Sequence, residues 1–176
     1  PAMTVNRACS SGLESINLAV QSIMTGESEV VVAGGAESMS QCPYLMNGHR
    51  FNGPRMGDVT MTDSLVMGLT CPIHDYHMGV TAENVAEQFG VSRTSQDELA
   101  VTSHTRAVAA QEAGYFDTQI APVSVPQRRG DPVIVTRDEQ PRPNTTVERL
   151  AKLPTAFKKQ GTVTAGNSAG INDAAA

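Results

Sequence analysis

The stretch Asn6-Arg-Ala-Cys9-Ser-Ser-Gly12-Leu-Glu-Ser-Ile-Asn-Leu-Ala-Val-Gln-Ser-Ile-Met-Thr-Gly26 decides how the first part of this chain folds. Its apolar side chains recur at a spacing typical of one helix face, at Leu13, Ile16, Val20 and Ile23. This period predicts a helix from about Ser10 to Thr25, with Gly26 as the residue that ends it.

Cys9 lies immediately before this predicted helix. The unpaired N–H groups and the dipole of a helix N-terminus favour an anion, and the thiolate is the nucleophilic form of cysteine. Small neighbours, Ser10, Ser11 and Gly12, leave room for a substrate. Cys9 is therefore placed like a nucleophile. The alternative is a buried, inert cysteine, since an unreactive thiol packs as a small apolar side chain.

Two candidate strands flank the helix. Met3-Thr-Val5 is a short one, and Glu29-Val-Val-Val-Ala-Gly-Gly35 is a β-branched run that predicts a buried, parallel strand. Residues 1–38 thus form a predicted strand–helix–strand unit. Residues 39–80, rich in Pro, Gly and Met, predict a long segment with little regular structure, which in compact domains is usually functional or contacts a partner.

Residues 81–114 have a helical pattern. A short helix is predicted from Thr81 to Gly90, and a second begins at Ser92 or at Ser95 and stops at Gly114. The rest of the chain predicts short elements: strands at Ile120–Val125 and Val133–Thr136, a helical turn at 146–152, and a strand at Gly161–Gly170 that enters a loop of small residues. Such a loop allows close approach of a ligand.

Composition limits the class of protein. The chain has 176 residues, 40% hydrophobic and 18% charged, and a net charge of −5, so it predicts a globular domain with no electrostatic reason to bind nucleic acid. No apolar run is long enough to predict a membrane span. Three cysteines without a disulfide spacing indicate a reducing compartment, hence a cytoplasmic location. The first and last residues read as those of a fragment of a longer protein.

Three polar clusters leave alternatives open. An acidic cluster contains Glu83, Glu87 and Asp97/Glu98, with Glu83 and Glu87 on one helix face, and it predicts a solvated surface rather than acid catalysis. The run Cys71-Pro-Ile-His-Asp-Tyr-His77 contains metal-ligand residue types, but an ordinary polar loop or a binding loop that uses His77 is favoured, and no metal is predicted. A group of basic residues fits either a solvated surface or phosphate binding: Arg128, Arg129, Arg137, Arg142, Lys152, Lys158 and Lys159.

Several segments, in order, resemble the thiolase family, which includes acetyl-CoA acetyltransferases and 3-ketoacyl-CoA thiolases. They are Asn6-Arg-Ala-Cys-Ser-Ser-Gly12, Val32-Ala-Gly-Gly-Ala-Glu-Ser-Met-Ser40, Arg55-Met-Gly-Asp58, Tyr76-His-Met-Gly-Val-Thr-Ala-Glu-Asn-Val-Ala86 and Gly161-Thr-Val-Thr-Ala-Gly-Asn-Ser-Ala-Gly-Ile-Asn-Asp173. The resemblance implies an α/β chain: part of a layered α/β/α core at 1–38, a mixed α+β loop domain at 39–165 that binds coenzyme A, and a return to the core at 166–176.

The resemblance also implies roles for individual residues. Cys9 matches the family's nucleophile, which carries the acyl group as a thioester. The positions that match coenzyme A contacts are His77, Met78, Arg142, Leu150, Phe157, Ala165, Gly166 and Ser168. Thiolases commonly read Asn-Ala-Ser-Gly where this chain has Asn167-Ser-Ala-Gly170, so the family's serine falls on Ala169, beside Ser168. Its first motif also departs, since Cys-Gly-Ser-Gly is common where this chain has Cys9-Ser-Ser-Gly12.

The implied activity is an acyl-CoA C-acyltransferase of lipid metabolism. It joins two acetyl-CoA, or cleaves 3-ketoacyl-CoA as in fatty acid β-oxidation, with coenzyme A and acyl-CoA as substrates and no tightly bound cofactor. The family's remaining catalytic groups follow in a C-terminal half, so residues 1–176 alone are expected to be inactive. A homodimer or homotetramer is implied. The alternatives are a ketoacyl-synthase-like condensing enzyme and a non-catalytic thioester-binding paralogue.

Overall fold

The computed structural model describes residues 1–176 as two compact units, Pro1–Met78 with Ile171–Ala176, and Gly79–Gly170. A short 3-10 helix (Met39–Gln41), six α-helices and six short strands occur along the chain. The α-helices and strands are α1 (Ser11–Met24), β1 (Ala36–Ser38), β2 (Tyr44–Leu45), α2 (His49–Asn52), β3 (Thr62–Asp63), α3 (Ser64–Gly68), α4 (Met78–Phe89), α5 (Arg93–Glu112), β4 (Val123–Val125), β5 (Val133–Val135), α6 (Val147–Leu150) and β6 (Asp173–Ala175). None of the helices is both long enough and apolar enough to cross a lipid bilayer.

Helix α1 confirms the helical period of the first segment. It begins at Ser11 and ends at Met24, with Thr25 as the C-cap. Gly26 follows at φ +76°, the left-handed backbone that glycine adopts without steric cost, and this explains why the helix stops there. The apolar face of α1 is largely open to solvent: Leu13, Ile16, Val20 and Ile23 are 48–66% exposed.

The predicted parallel strand at Glu29–Gly35 is wrong. Val30 and Val32 are 84% and 96% exposed, and the strand begins only at Ala36, as β1, which pairs antiparallel with β6. Met3-Thr-Val5 forms no strand either. The physical reason is the same for both segments: β-branched residues favour extended backbone, but a strand also needs a partner strand for its N–H and C=O groups. Backbone pairing with the end of the chain begins only at Gly35, which exchanges two hydrogen bonds with Ala176.

Short elements occupy the segment predicted to have little regular structure. Strands β2 and β3 form an antiparallel pair with Tyr44 opposite Asp63. The Asp63 carboxylate then caps α3, because its Oδ1 accepts a hydrogen bond of 2.8 Å from the Leu65 N–H. Asp63 is therefore both the last residue of β3 and the N-cap of α3. This explains how a segment rich in Pro and Gly still forms local secondary structure.

The second unit is built around α5. Its N-cap is Ser92, whose hydroxyl accepts a hydrogen bond from the Ser95 N–H, so of the two predicted starts, Ser92 and Ser95, Ser92 is correct. The helix ends before Gly114, as predicted, at φ +73°. Helix α4 begins three residues before Thr81.

The predicted strands Ile120–Val125 and Val133–Thr136 are confirmed in shorter form. They become β4 and β5, an antiparallel pair. The predicted helical turn becomes α6, capped by the Thr146 hydroxyl. Gly161–Gly170 forms turns and a single bridge between Thr155 and Thr164 instead of a strand, because side chains satisfy its backbone groups.

The small core of this unit lies where α4, α5 and α6 approach residues 162–167. Its buried apolar residues are Ala86, Val108, Leu150 and Val163. Buried polar residues adjoin them, namely Glu83, Asp97 and Thr164. A buried polar group costs free energy unless it is hydrogen-bonded, so the bonds of these three residues determine how the segment 162–167 is held.

Candidate functional site

Cys9 lies in an exposed turn, two residues before the start of α1. The preceding residue, Ala8, has φ +50°, a left-handed conformation that costs a non-glycine residue about 1 kcal/mol. Strained backbone of this kind is often found at functional sites. The position of Cys9 relative to the helix agrees with the prediction, and its role as nucleophile stays a prediction.

Side chains hold the Cys9 turn in place. The Ser11 hydroxyl accepts a hydrogen bond of 2.9 Å from the Arg7 N–H and donates one of 2.6 Å to the Ala8 carbonyl. The Asn6 Oδ1 accepts from the Ala8 N–H at 3.0 Å. These bonds oppose the strain at Ala8. From the sequence, Ser11 was predicted only to be a small neighbour of Cys9, and its hydrogen bonds to the backbone of the turn were not predicted.

The cation closest to Cys9 in sequence is already paired. Arg7 Nη1 lies 3.1 Å from Glu14 Oε2, across the first turn of α1. Both side chains are accessible, so the pair contributes little to stability. The N-terminus of α1 is a second positive feature beside the thiol.

Glu83 corrects the prediction of a solvated acidic face. It is only 4% exposed, and its carboxylate accepts hydrogen bonds from the N–H groups of Thr162 and Val163 and from the Thr162 hydroxyl. Burial raises the pKa of Glu83, but these hydrogen bonds, together with the charge of Lys158, lower that pKa below its ordinary value. Glu87, in contrast, has an 80% exposed side chain, as predicted.

Asp97 is a second buried carboxylate, and for this residue too the prediction of a solvated acidic surface is wrong. It is 1% exposed; Arg93 Nε donates to its Oδ2 at 2.8 Å, and Asn167 Nδ2 donates to its Oδ1 at 3.0 Å. No local signal distinguishes it, because a charged residue of a helix is normally exposed. Only the tertiary contact with Asn167, 70 residues later, buries it.

The predicted coenzyme contacts of the second unit fall around this network. Leu150 is buried, and its side chain approaches Gly166 so closely that a Cβ on that glycine would lie 2.6 Å from Leu150 Cδ2. The ring of Phe157 lies against Gly79 in the same way. Ala165 and Ser168, on either side of Gly166 and Asn167, are exposed. The structure therefore brings Leu150 and Gly166 together and leaves Ala165 and Ser168 accessible to a ligand.

Some of the basic residues that could bind phosphate already have hydrogen-bond or ion-pair partners within the chain. Arg142 is exposed, and its backbone N–H donates to His104 Nδ1 at 3.1 Å. Arg137 donates to Gln111, and Lys158 lies 3.3 Å from Glu87. Since Lys158 already has a carboxylate partner, Arg142 is the better placed of the two for an added anion.

His77 and Met78 lie at the start of α4. The backbone of His77 forms a bridge with Thr70, and Met78 is 41% exposed. The nearby Cys71-to-His77 run contains one ring contact, with the rings of His74 and Tyr76 stacked at 5.6 Å. No three His, Cys, Asp or Glu side chains are grouped so that they could hold a metal ion.

Comparison with known proteins places the chain in a family. The profile of "Thiolase, N-terminal domain" matches residues 1–176. The chain belongs to the thiolase family. It is 59% identical over 177 aligned residues to a "Probable acetyl-CoA acyltransferase" of Staphylococcus aureus strain COL, an alignment that covers 100% of this chain and 45% of that thiolase relative.

Solved thiolase structures agree with the fold. A crystal structure of Bacillus anthracis acetyl-CoA acetyltransferase matches with a TM-score of 0.90 and 48% identity, over 96% of this chain and 42% of that one. Human mitochondrial 3-ketoacyl-CoA thiolase in complex with CoA matches with a TM-score of 0.91 and 44% identity, over 99% and 43% of the two chains. The predicted α/β thiolase fold is confirmed, and the chain spans less than half the length of these relatives.

Proposed function

We propose that this chain carries the nucleophile and the coenzyme-binding segments of an acyl-CoA C-acyltransferase. Cys9 takes the acyl group as a thioester, and coenzyme A or acyl-CoA is the second substrate. The observation that carries this proposal is the exposed Cys9 in a braced turn at the N-terminus of α1, in a chain that matches thiolases over its whole length.

In the degradative direction, the Cys9 thiolate attacks the 3-keto carbon of a 3-ketoacyl-CoA. The bond between C2 and C3 breaks, its electron pair leaves on C2 as the enolate of acetyl-CoA, and a general acid protonates that carbon. The thiol of coenzyme A, deprotonated by a base, then attacks the acyl-Cys9 thioester and releases the shortened acyl-CoA. The condensation of two acetyl-CoA follows the same steps in reverse.

The features around Cys9 suit these steps. A carbonyl attacked by the thiolate develops negative charge on oxygen, and N–H groups at a helix N-terminus stabilise such a charge. We propose that the Cys9 N–H is one oxyanion donor. The acid and the base for the other steps are proposed to come from the remainder of a thiolase, since the chain spans 45% of its S. aureus relative.

Coenzyme binding is proposed for the residues that match the family contacts. The exposed Ala165 and Ser168 would lie along the pantetheine arm, and the exposed Arg142 would attract the phosphates. A thiolase solved with CoA among the structural relatives supports coenzyme A as a ligand class. The division into segments 1–38, 39–165 and 166–176, and a homo-oligomeric assembly, stay predictions.

A chimera tests the proposal. Residues 1–176 would replace the matching 45% of the S. aureus relative, and thiolysis of acetoacetyl-CoA by coenzyme A would be measured. Activity is expected, with an acetyl group on Cys9 in the acid-quenched enzyme by mass spectrometry. Cys9→Ala should lower kcat by at least about a thousandfold, whereas Cys42→Ala, at a half-buried cysteine, should not.

The outcomes separate the alternatives. Turnover that survives Cys9→Ala, or an acyl group found on another residue, would overturn the proposed nucleophile. Acylation of Cys9 without turnover would indicate a non-catalytic thioester-binding protein. In parallel, the unmodified 176-residue chain should show no thiolysis, and measurable turnover by it would contradict the proposal that the acid and base lie elsewhere.

A further inference from the structure

The Asp97 carboxylate joins two segments that lie far apart in the sequence. One oxygen accepts from Arg93 at 2.8 Å and the other accepts from the Asn167 amide at 3.0 Å. Asp97 is 1% exposed, so its carboxylate lies away from bulk water, while the Arg93 side chain is 25% exposed. Hydrogen bonds to a buried charge are shorter and stronger than neutral ones, and they fix the groups that make them.

Arg93 extends the connection to the end of α6. Besides Asp97, its guanidinium donates through Nη2 to the carbonyls of Leu150, at 2.6 Å, and Leu153, at 3.3 Å. The planar fork of arginine holds several acceptors in a fixed arrangement, which lysine does not do. The Arg93 side chain therefore sets the position of Leu150, one of the proposed coenzyme contacts.

Asn167 extends the connection in the other direction. Its Nδ2 also donates to the Thr162 carbonyl at 3.1 Å, and its Oδ1 accepts from the Thr164 N–H at 2.7 Å. With donors and acceptor all used, the amide has one possible orientation. These bonds fix the backbone of 162–167. They thereby also fix the positions of the exposed Ala165, within this segment, and Ser168, directly after it.

We propose that Arg93, Asp97 and Asn167 are positioning residues that set the spacing between the two coenzyme-binding segments, Leu150 on one side and Ala165 to Ser168 on the other. This inference rests on the proposed function, because it assigns a role within the same coenzyme site. The residues do not touch the coenzyme. They act through the backbone carbonyls of 150 and 153 and through the turn at 164–167.

A positioning role predicts a donor–acceptor pattern that a general stabilising role does not. In Asp97→Asn, the new side chain has one acceptor oxygen and one N–H₂ donor, whereas Arg93 and Asn167 both donate to residue 97. In either orientation the N–H₂ group faces one of these donors, so one of the two hydrogen bonds is lost. In Asn167→Asp two carboxylates face each other. The double variant Asp97→Asn/Asn167→Asp restores a donor opposite an acceptor, because the amide at 97 can donate to the carboxylate at 167 while its oxygen accepts from Arg93.

The experiment measures coenzyme A binding to the 176-residue chain by calorimetry, and KM and kcat in the chimera with the S. aureus relative. Asp97→Asn and Asn167→Asp are each expected to raise Kd and KM for coenzyme A about tenfold, with kcat changed less than about twofold. The double variant should bind coenzyme A more tightly than Asn167→Asp, but less tightly than the parent, because the bond from residue 167 to the Thr162 carbonyl stays lost. Glu98→Gln, at the exposed neighbour of Asp97, is the matched control and should change neither constant.

A milder variant covers the case in which Asp97→Asn does not fold. Arg93→Lys keeps the charge beside Asp97 but loses the fork to Leu150 and Leu153, so it should raise KM for coenzyme A while circular dichroism stays native. Folded variants that bind coenzyme A like the parent, or a double variant no better than Asn167→Asp, would overturn the positioning role alone. A parent chain and chimera that bind no coenzyme A would overturn the proposed function itself.

Discussion

Asp173 accepts two hydrogen bonds from Ser40, a residue 133 positions earlier: the Ser40 N–H lies 2.9 Å from Oδ1 and the hydroxyl 2.5 Å from Oδ2. The bonds continue the pairing of β1 with β6, in which Ser38 lies opposite Asp173. Strands of three residues have few ladder bonds of their own. The carboxylate therefore secures the register of a pair that the backbone alone would hold weakly.

Removal of the Ser40 hydroxyl should be visible in the titration of Asp173. The hydroxyl and the N–H of Ser40 lower the pKa of Asp173 below its ordinary 3.8. We expect Ser40→Ala to raise that pKa toward 3.8, and NMR titration of the carboxyl carbon measures it. Ser38→Ala, in the same strand, is the control. An unchanged titration in Ser40→Ala would show that the hydroxyl does not stabilise the charge.

Glu83→Gln should destabilise the second unit. The amide presents an N–H₂ group to the N–H donors of Thr162 and Val163, so at least one buried charge-assisted bond is lost, at a cost of about 2 kcal/mol. Glu87→Gln, four residues later on an exposed side chain, should change stability by less than about 0.5 kcal/mol. Urea unfolding measures both, and hydrogen exchange of the Val163 N–H locates the loss. Equal effects at the two positions would contradict the buried role of Glu83.

Acid should weaken the same contact. Because the pKa of Glu83 is lowered by folding, its contribution to the free energy of unfolding is complete above the ordinary value of 4.5 and is lost as the pH falls through the lower, folded value. The parent chain should therefore lose stability over that window more steeply than Glu83→Gln, whose side chain does not titrate. Parallel pH profiles of the two proteins would rule this linkage out.

The two serines at the start of α5 give a matched pair of variants. Ser92→Ala removes the hydroxyl that caps the Ser95 N–H and should cost about 1 kcal/mol. Ser95→Ala keeps that N–H and should cost nothing, since alanine is the better helix former. Thermal unfolding followed by circular dichroism compares them. Greater loss in Ser95→Ala would contradict the assignment of Ser92 as the N-cap.

Cys9 should be the first cysteine to react with iodoacetamide. It is exposed beside the N-terminus of α1, whereas Cys42 and Cys71 are half-buried. Peptide mass spectrometry at successive times gives the order, and the urea-unfolded chain provides the reference in which exposure no longer differs. Equal native rates for the three thiols would remove the support that accessibility gives to Cys9 as the nucleophile.

Local periodicity was enough to predict the longer helices α1, α4 and α5, but not the short α2 and α3. The apolar spacing from Leu13 to Ile23 and the glycines at 26 and 114 determine α1 and the end of α5 through interactions within a few residues. The position of Cys9 before a helix followed from the same signal. Features that depend on local chemistry were therefore readable from the sequence.

Features that depend on a distant partner were not. Val30 to Val32 had the composition of a strand but no partner strand, and Glu83 had the spacing of a surface residue but is covered by Thr162 and Val163. The hydrogen bond between Asp97 and Asn167 could not be predicted from either residue alone, because it joins positions 70 residues apart. The charge pattern of a helix does not show which of its faces another segment will cover.

The hydrogen bonds of Asn167 separate the residues that fix this turn from the residues that form its surface. The amide that fixes the turn is half-buried, while Ala165, Ser168 and Ala169 beside it are exposed. Substitutions at the exposed positions leave the frame intact, so mutation can sample new surfaces there at small thermodynamic risk.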